Sequence, residues 1–110
     1  MPTYNKLVRD KIPQIIESKG KKISTKVLND EDYIKYLKVK AYEELDEYCS
    51  AETDGEAVEE LADLLEIIRA LAKQHGSSIE EVEAVRIEKA EKRGGFEEKV
   101  FLIRVEDYFQ

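Results

Sequence analysis

Apolar residues recur at steps of three and four along most of the chain, and that spacing predicts four helices. The first takes Asp10 as its N-cap and ends before Gly20. Pro13 falls in its first turn, where a missing N–H costs little, and Ile12, Ile15 and Ile16 form its apolar stripe. Lys22 to Leu28 is rich in β-branched residues and reads as a short extended segment. Asn29 or Asp30 caps a second helix running to about Ala51, on which Ile34, Leu37, Ala41, Leu45 and Tyr48 make one buried face.

Thr53-Asp54-Gly55 is expected to form the next turn, followed by a third helix from about Glu56 to His75, stopped by Gly76. Its apolar residues (Ala57, Val58, Leu61, Ala62, Leu64, Leu65, Ile67, Ile68 and Leu71) cover most of its circumference. A helix apolar nearly all round is buried on several sides, and in so small a chain the expected extra cover is another subunit. Ser77 or Ser78 opens a fourth helix, with Glu80 or Glu81 completing a capping box, and Gly94-Gly95 ends it after Arg93. Phe96 to Val105 looks extended, either a short strand or an arm packed on a partner. The longer tail to Phe109, with Phe101, Ile103 and Tyr108, would add to such a contact. The fold expected is all-α: a bundle of about four helices with a short extended C-terminal segment, its core completed by oligomerisation, at least to a homodimer.

Composition narrows the functional classes. The 110 residues fit one domain spanning 1–110, and a hydrophobic content of 42% separates the chain from disordered tails. Acids outnumber bases by 25 to 18, and a net charge of −7 argues against broad binding to nucleic-acid backbones. No apolar run is long enough to span a bilayer. Cys49 is the single cysteine, which rules out an intrachain disulfide and suits a reducing compartment. The opening, Met1 to Ile16, mixes Lys6, Arg9, Asp10 and Lys11 with short apolar pairs, unlike a secretion signal, so a cytoplasmic location is expected.

The acids are not spread evenly. Glu43-Glu44-Leu45-Asp46-Glu47 lies on the second predicted helix and Glu60-Leu61-Ala62-Asp63 on the third. Residues three apart share a helix face, so Glu44 pairs with Glu47 and Glu60 with Asp63. Counted from Thr53, Glu47 and Glu60 lie six and seven residues away, Glu44 and Asp63 nine and ten. Two helices folded back on each other would set the four carboxylates in two matched layers. Glu44 also borders the apolar stripe, turned toward the facing helix. A solvated acidic face and a cation site both fit this pattern. Two features favour the cation. Glu43/Glu47, Glu56/Glu60 and Glu59/Asp63 are like-charge pairs four apart, and Glu60 and Asp63 sit in the most apolar helix, where an unpartnered carboxylate is costly. Oxygen ligands alone suit magnesium or manganese rather than zinc. His75, the single histidine, stands near the end of the third helix, suited to the helix dipole rather than to a metal.

On the fourth helix Arg86, Lys89 and Arg93 recur at three and four residues, with Lys92 nearby and Gly94-Gly95 directly after. The stripe is either an exposed face balancing Glu83, Glu88 and Glu91 or a phosphate site, in which Arg supplies forked donors, Lys a point charge and the glycines close backbone approach. Lys6, Arg9 and Lys11 are weaker candidates of the same kind.

Glu43-Glu44-x-x-Glu47, twelve intervening residues and Glu60-x-x-Asp63 resemble the E-E-x-x-E…E-x-x-D signature of the all-α nucleoside triphosphate pyrophosphatases, which include MazG proteins, dimeric dUTPases and phosphoribosyl-ATP pyrophosphohydrolases. The opening Tyr4-Asn5-Lys6-Leu7-Val8-Arg9-Asp10-Lys11-Ile12-Pro13 and the later Arg93-Gly94-Gly95-Phe96 look like a small MazG-like branch, often labelled phosphoribosyl-ATP pyrophosphohydrolase-like. The likeness runs from about Tyr4 to Leu102. It implies a helical fold with metal ligands at Glu44, Glu47, Glu60 and Asp63, a tight interhelix turn, and substrate phosphates at Lys89 and Arg93, with Arg86 beside them.

The activity so implied is magnesium-dependent hydrolysis of a nucleoside triphosphate to the monophosphate and pyrophosphate, removing unwanted nucleotides. Glu44 or Glu47 would orient the attacking water, and Lys89 and Arg93 would stabilise the leaving pyrophosphate. Phosphoribosyl-ATP hydrolysis is the nearest alternative, and a non-catalytic helical interaction module is a reading of a different class.

Overall fold

Helix termini in this protein follow local chemistry closely. In the computed structural model, which describes residues 3–107, four α-helices follow in order: α1 (Ile12–Ser18), α2 (Asp30–Cys49), α3 (Asp54–Gln74) and α4 (Ile79–Arg93). No strand occurs among the described residues, so residues 22–28 and the stretch from Phe96 to Val105 are irregular chain rather than sheet. Tyr108 and Phe109 lie outside the described residues, as does Met1. No described helix is long and apolar enough to cross a membrane.

Asn29 caps α2, its side-chain oxygen accepting from the Asp32 N–H at 2.8 Å, while Asp30, Glu31 and Asp32 place negative charge at the positive end of the helix dipole. Thr53 does the same for α3, accepting from the Glu56 N–H at 3.1 Å, while the Glu56 carboxylate reaches back to the Glu52 N–H at 3.1 Å. Asp54 and Gly55 therefore form the first turn of α3, not the connection before it, which is only Ser50 to Thr53. At the far end Gly76 takes a left-handed φ of 68°. Ser77 N–H bonds the Ala72 carbonyl at 3.0 Å and Gly76 N–H the Lys73 carbonyl at 3.1 Å, a Schellman closure. The start of α1 departs from expectation. Lys11, not Asp10, is its N-cap, in helical conformation and without a side-chain cap, because Asp10 already lies in the turn closed by Ile12 N–H on the Arg9 carbonyl.

The chain forms two compact units, Met1–Ile79 and Glu80–Gln110. In the first, the four-residue connection folds α3 back onto α2, and this helical hairpin holds the core: Leu37, Ile67 and Ala72, with Glu44 buried beside them. No described side chain is completely enclosed. Periodicity marks the apolar face of α2 correctly, yet only Leu37 of that stripe is buried; Leu45 and Tyr48 remain exposed. On α3 the expected all-round burial is likewise unmet within one copy: Val58 is 64% exposed, Leu61 48% and Leu65 54%. One facing helix covers one face, and α1 makes no close backbone packing on α2 or α3 among the described residues. Ile15 of α1 is accordingly exposed.

In the second unit, α4 ends at Gly94, whose φ of 82° and 2.8 Å bond to the Ala90 carbonyl break the helix. A turn follows, closed by Lys99 N–H on the Phe96 carbonyl at 3.1 Å. Beyond it Val100, Phe101, Leu102, Ile103 and Val105 are all largely exposed.

Candidate functional site

Because α2 and α3 run back on each other from a short connection, positions similarly distant from it come face to face. Glu44, Glu47 and Glu60 do so: one carboxylate oxygen from each lies within 4.8 Å of the others. Glu44 is 8% exposed, Glu60 half-buried and Glu47 exposed, so the group runs from the helix interface out to solvent. Glu44 Oε2 and Glu60 Oε2 are buried, and no protein donor reaches either.

That arrangement has a physical consequence. Burial raises the Glu44 carboxyl above its ordinary value, and the negative charges of Glu47 and Asp63 push the same way. Glu60 is pushed up to about 7, chiefly by the hydrogen bond its carboxyl shares with Glu44 and then by that with Glu47. Carboxylates grouped this closely are relieved by a shared proton or by a cation. Three carboxylates with two orphaned oxygens fit a hard divalent ion, which takes oxygen ligands and neutralises their repulsion.

Asp63 stands one turn beyond Glu60 and is not in this trio. Its Oδ1 accepts from Arg9 Nη2 at 2.7 Å, a contact between residues 54 positions apart. The expected two matched layers thus become a trio plus a neighbouring carboxylate paired with a guanidinium. Arg9 was legible as a basic residue in the opening segment, but nothing in local spacing ties it to Asp63.

The basic stripe of α4 divides in two. Arg86 forks onto the Glu83 carboxylate, with Nε at 3.0 and 2.9 Å from its two oxygens and Nη2 also on Oε1. The pair lowers Glu83 and raises Arg86 from their ordinary values. Lys92 lies 3.0 Å from Glu88. For these two cations the charge-balancing reading holds. Lys89 and Arg93, by contrast, have no ion-pair partner among the described residues, and both line a cavity of about 600 Å³ with Arg86, Ala90, Gly94, Gly95, Phe96 and Glu97. A Cβ on Gly95 would meet the Glu97 carboxylate, so that side chain folds against the glycine backbone. Phe96 is 96% exposed at the cavity's edge.

His75 is the C-cap of α3, and Cys49, the last residue of α2, is free and exposed. The likeness to the all-α pyrophosphatases rests on the motif residues alone: no family model, curated protein or solved structure matches this chain.

Proposed function

We propose that this chain hydrolyses nucleoside triphosphates to the monophosphate and pyrophosphate, with magnesium or manganese held by Glu44, Glu47 and Glu60, and by Asp63 once its carboxylate leaves Arg9. The observation that carries the reading is Glu44, buried at the helix interface with an oxygen that no protein donor reaches, and grouped with two further carboxylates. A solvated acidic face gives no reason to bury a glutamate to 8% exposure without a partner. When bound, the ion would neutralise phosphate charge and polarise the bonds to phosphorus.

The roles of the chain's own groups follow from their exposure. Glu44, enclosed between the helices, anchors the site. Glu47, the exposed member, orients a water and accepts its proton as that water's oxygen bonds to the α-phosphorus and the bridging bond to the β-phosphate breaks. Phosphate binding is assigned to Lys89 and Arg93 because they carry uncompensated charge beside a glycine pair; Arg86 is the weaker member, since Glu83 already occupies its fork. Two features go with the same reading. A homo-oligomer, at least a dimer, would cover Val58, Leu61 and Leu65, and a reducing, cytoplasmic setting suits the free Cys49.

Calorimetric titration of the metal-free chain with MnCl2 and MgCl2 tests the foundation. Saturable binding that disappears in Glu44→Gln and Glu60→Gln is expected. Absence of binding in the unaltered chain would return the trio to an ordinary acidic face. Phosphoribosyl-ATP remains the second substrate to try, since the same carboxylates would serve it.

A further inference from the structure

Among the described residues, Arg9 is the one cation from outside the hairpin that pairs with an acid of the α2–α3 motif. The ion pairs Lys40–Glu43, Arg69–Glu66, Arg86–Glu83 and Lys92–Glu88 each stay within one helix. Arg9–Asp63 instead ties the opening segment to α3. The segment is fixed locally by the turn in which the Arg9 carbonyl accepts from the Ile12 N–H at 3.0 Å. Asp63 stands one turn from Glu60 on the same helix, beside the trio rather than in it. The guanidinium therefore sits at the edge of the carboxylate group while using one of its five N–H donors on Asp63, and it is 58% exposed.

A polyphosphate approaching several carboxylates is repelled unless cations stand among them. A pair as exposed as Arg9–Asp63 adds little to stability, so it breaks at small cost. Phosphate oxygens match the planar fork of arginine better than a single carboxylate oxygen does. We propose that Arg9 is a substrate-phosphate ligand, held at the mouth of the carboxylate site by Asp63 and handed to the polyphosphate when a divalent cation takes that carboxylate. The inference rests on the metal-site reading and adds to it a binding group from the opening segment.

The test uses the full chain and two titrations, MnCl2 alone and then inorganic pyrophosphate in saturating Mn²⁺. Arg9→Ala should bind Mn²⁺ as tightly as the unaltered chain or somewhat more tightly, since a competitor for Asp63 is gone. It should bind pyrophosphate about tenfold more weakly or worse, the scale of a lost charge-assisted contact. Arg9→Lys, which keeps the charge and the ion pair but not the fork, should fall between, and it carries the test if the alanine variant loses its helical signal. A merely structural Arg9 would lower both affinities together. Pyrophosphate affinity within twofold of the unaltered chain in both variants, or no pyrophosphate binding by a chain that does bind Mn²⁺, overturns the proposal alone. Failure of the unaltered chain to bind Mn²⁺ overturns the metal-site reading, and this proposal with it.

Discussion

Glu44 and Glu60 face each other across the α2–α3 hairpin, each with one buried carboxylate oxygen that no protein donor reaches. A proton shared between them or a cation beside them would relieve the repulsion of the two carboxylates, and the two cases have different consequences.

Without metal, stability should fall as pH rises. Glu60 in the folded chain is pushed up to about 7, from an ordinary value of 4.5, by its hydrogen bonds to Glu44 and Glu47. Between those values the folded chain keeps a proton that the unfolded chain has released. The contribution is therefore intact below about pH 4.5 and lost as pH rises through about 7. Thermal unfolding of the metal-free chain should show a Tm that drops from pH 5 to pH 8 more steeply than in Glu60→Gln. Magnesium should restore stability at pH 8. Equal slopes in the two chains would contradict the shared proton.

Replacing one carboxylate should separate stability from activity. Glu47→Gln, Glu60→Gln and Asp63→Asn should abolish turnover with the helical circular dichroism signal intact. Glu44→Gln should also be inactive, yet without metal and above about pH 7, where the shared proton is lost, it should gain about 1 kcal/mol, because its amide can donate where a carboxylate only repels. Near-normal activity of these variants in magnesium would remove the site assignment.

Much of this hairpin is legible in the sequence. Asn29, Thr53 and Gly76 declare helix ends through chemistry that acts within a few residues, and Glu44 is readable as inward-facing because it borders the apolar stripe. Asp54-Gly55 misleads, since a pair common in turns is equally at home in a first helical turn under a threonine cap. Leu45 and Tyr48 mark the limit of periodicity, which identifies an apolar face without saying whether anything lies on it. The Arg9–Asp63 contact was out of reach for another reason: no spacing rule connects residues 54 positions apart.

On α4 the division between paired and unpaired cations should appear in binding. Lys89→Ala and Arg93→Ala should each weaken pyrophosphate or nucleotide binding about tenfold while Mn²⁺ affinity is kept. Arg93→Lys should recover only part, for want of the guanidinium fork. Arg86→Ala should matter less, because Glu83 already holds that side chain. Unchanged kinetics in the Lys89 and Arg93 variants would make the whole stripe a solvated surface.

The small core predicts association. Only Leu37, Ile67 and Ala72 are buried apolar residues among those described, although 42% of the chain is hydrophobic. Light scattering at micromolar concentration should give a mass at least twice 12.7 kDa. Leu61→Glu or Leu65→Glu should lower both mass and Tm, since burial of each leucine is worth roughly 1.5–3 kcal/mol. A mass of 12.7 kDa in an active sample would contradict it.

The central claim is tested most directly by analysing the products formed from a panel of nucleoside triphosphates in magnesium. The account predicts pyrophosphate and nucleoside monophosphate in equal amounts from at least one of them, with neither formed when the metal is chelated nor by Glu60→Gln. Orthophosphate and a diphosphate as products, or no turnover of any nucleotide by a chain that binds Mn²⁺, would contradict it.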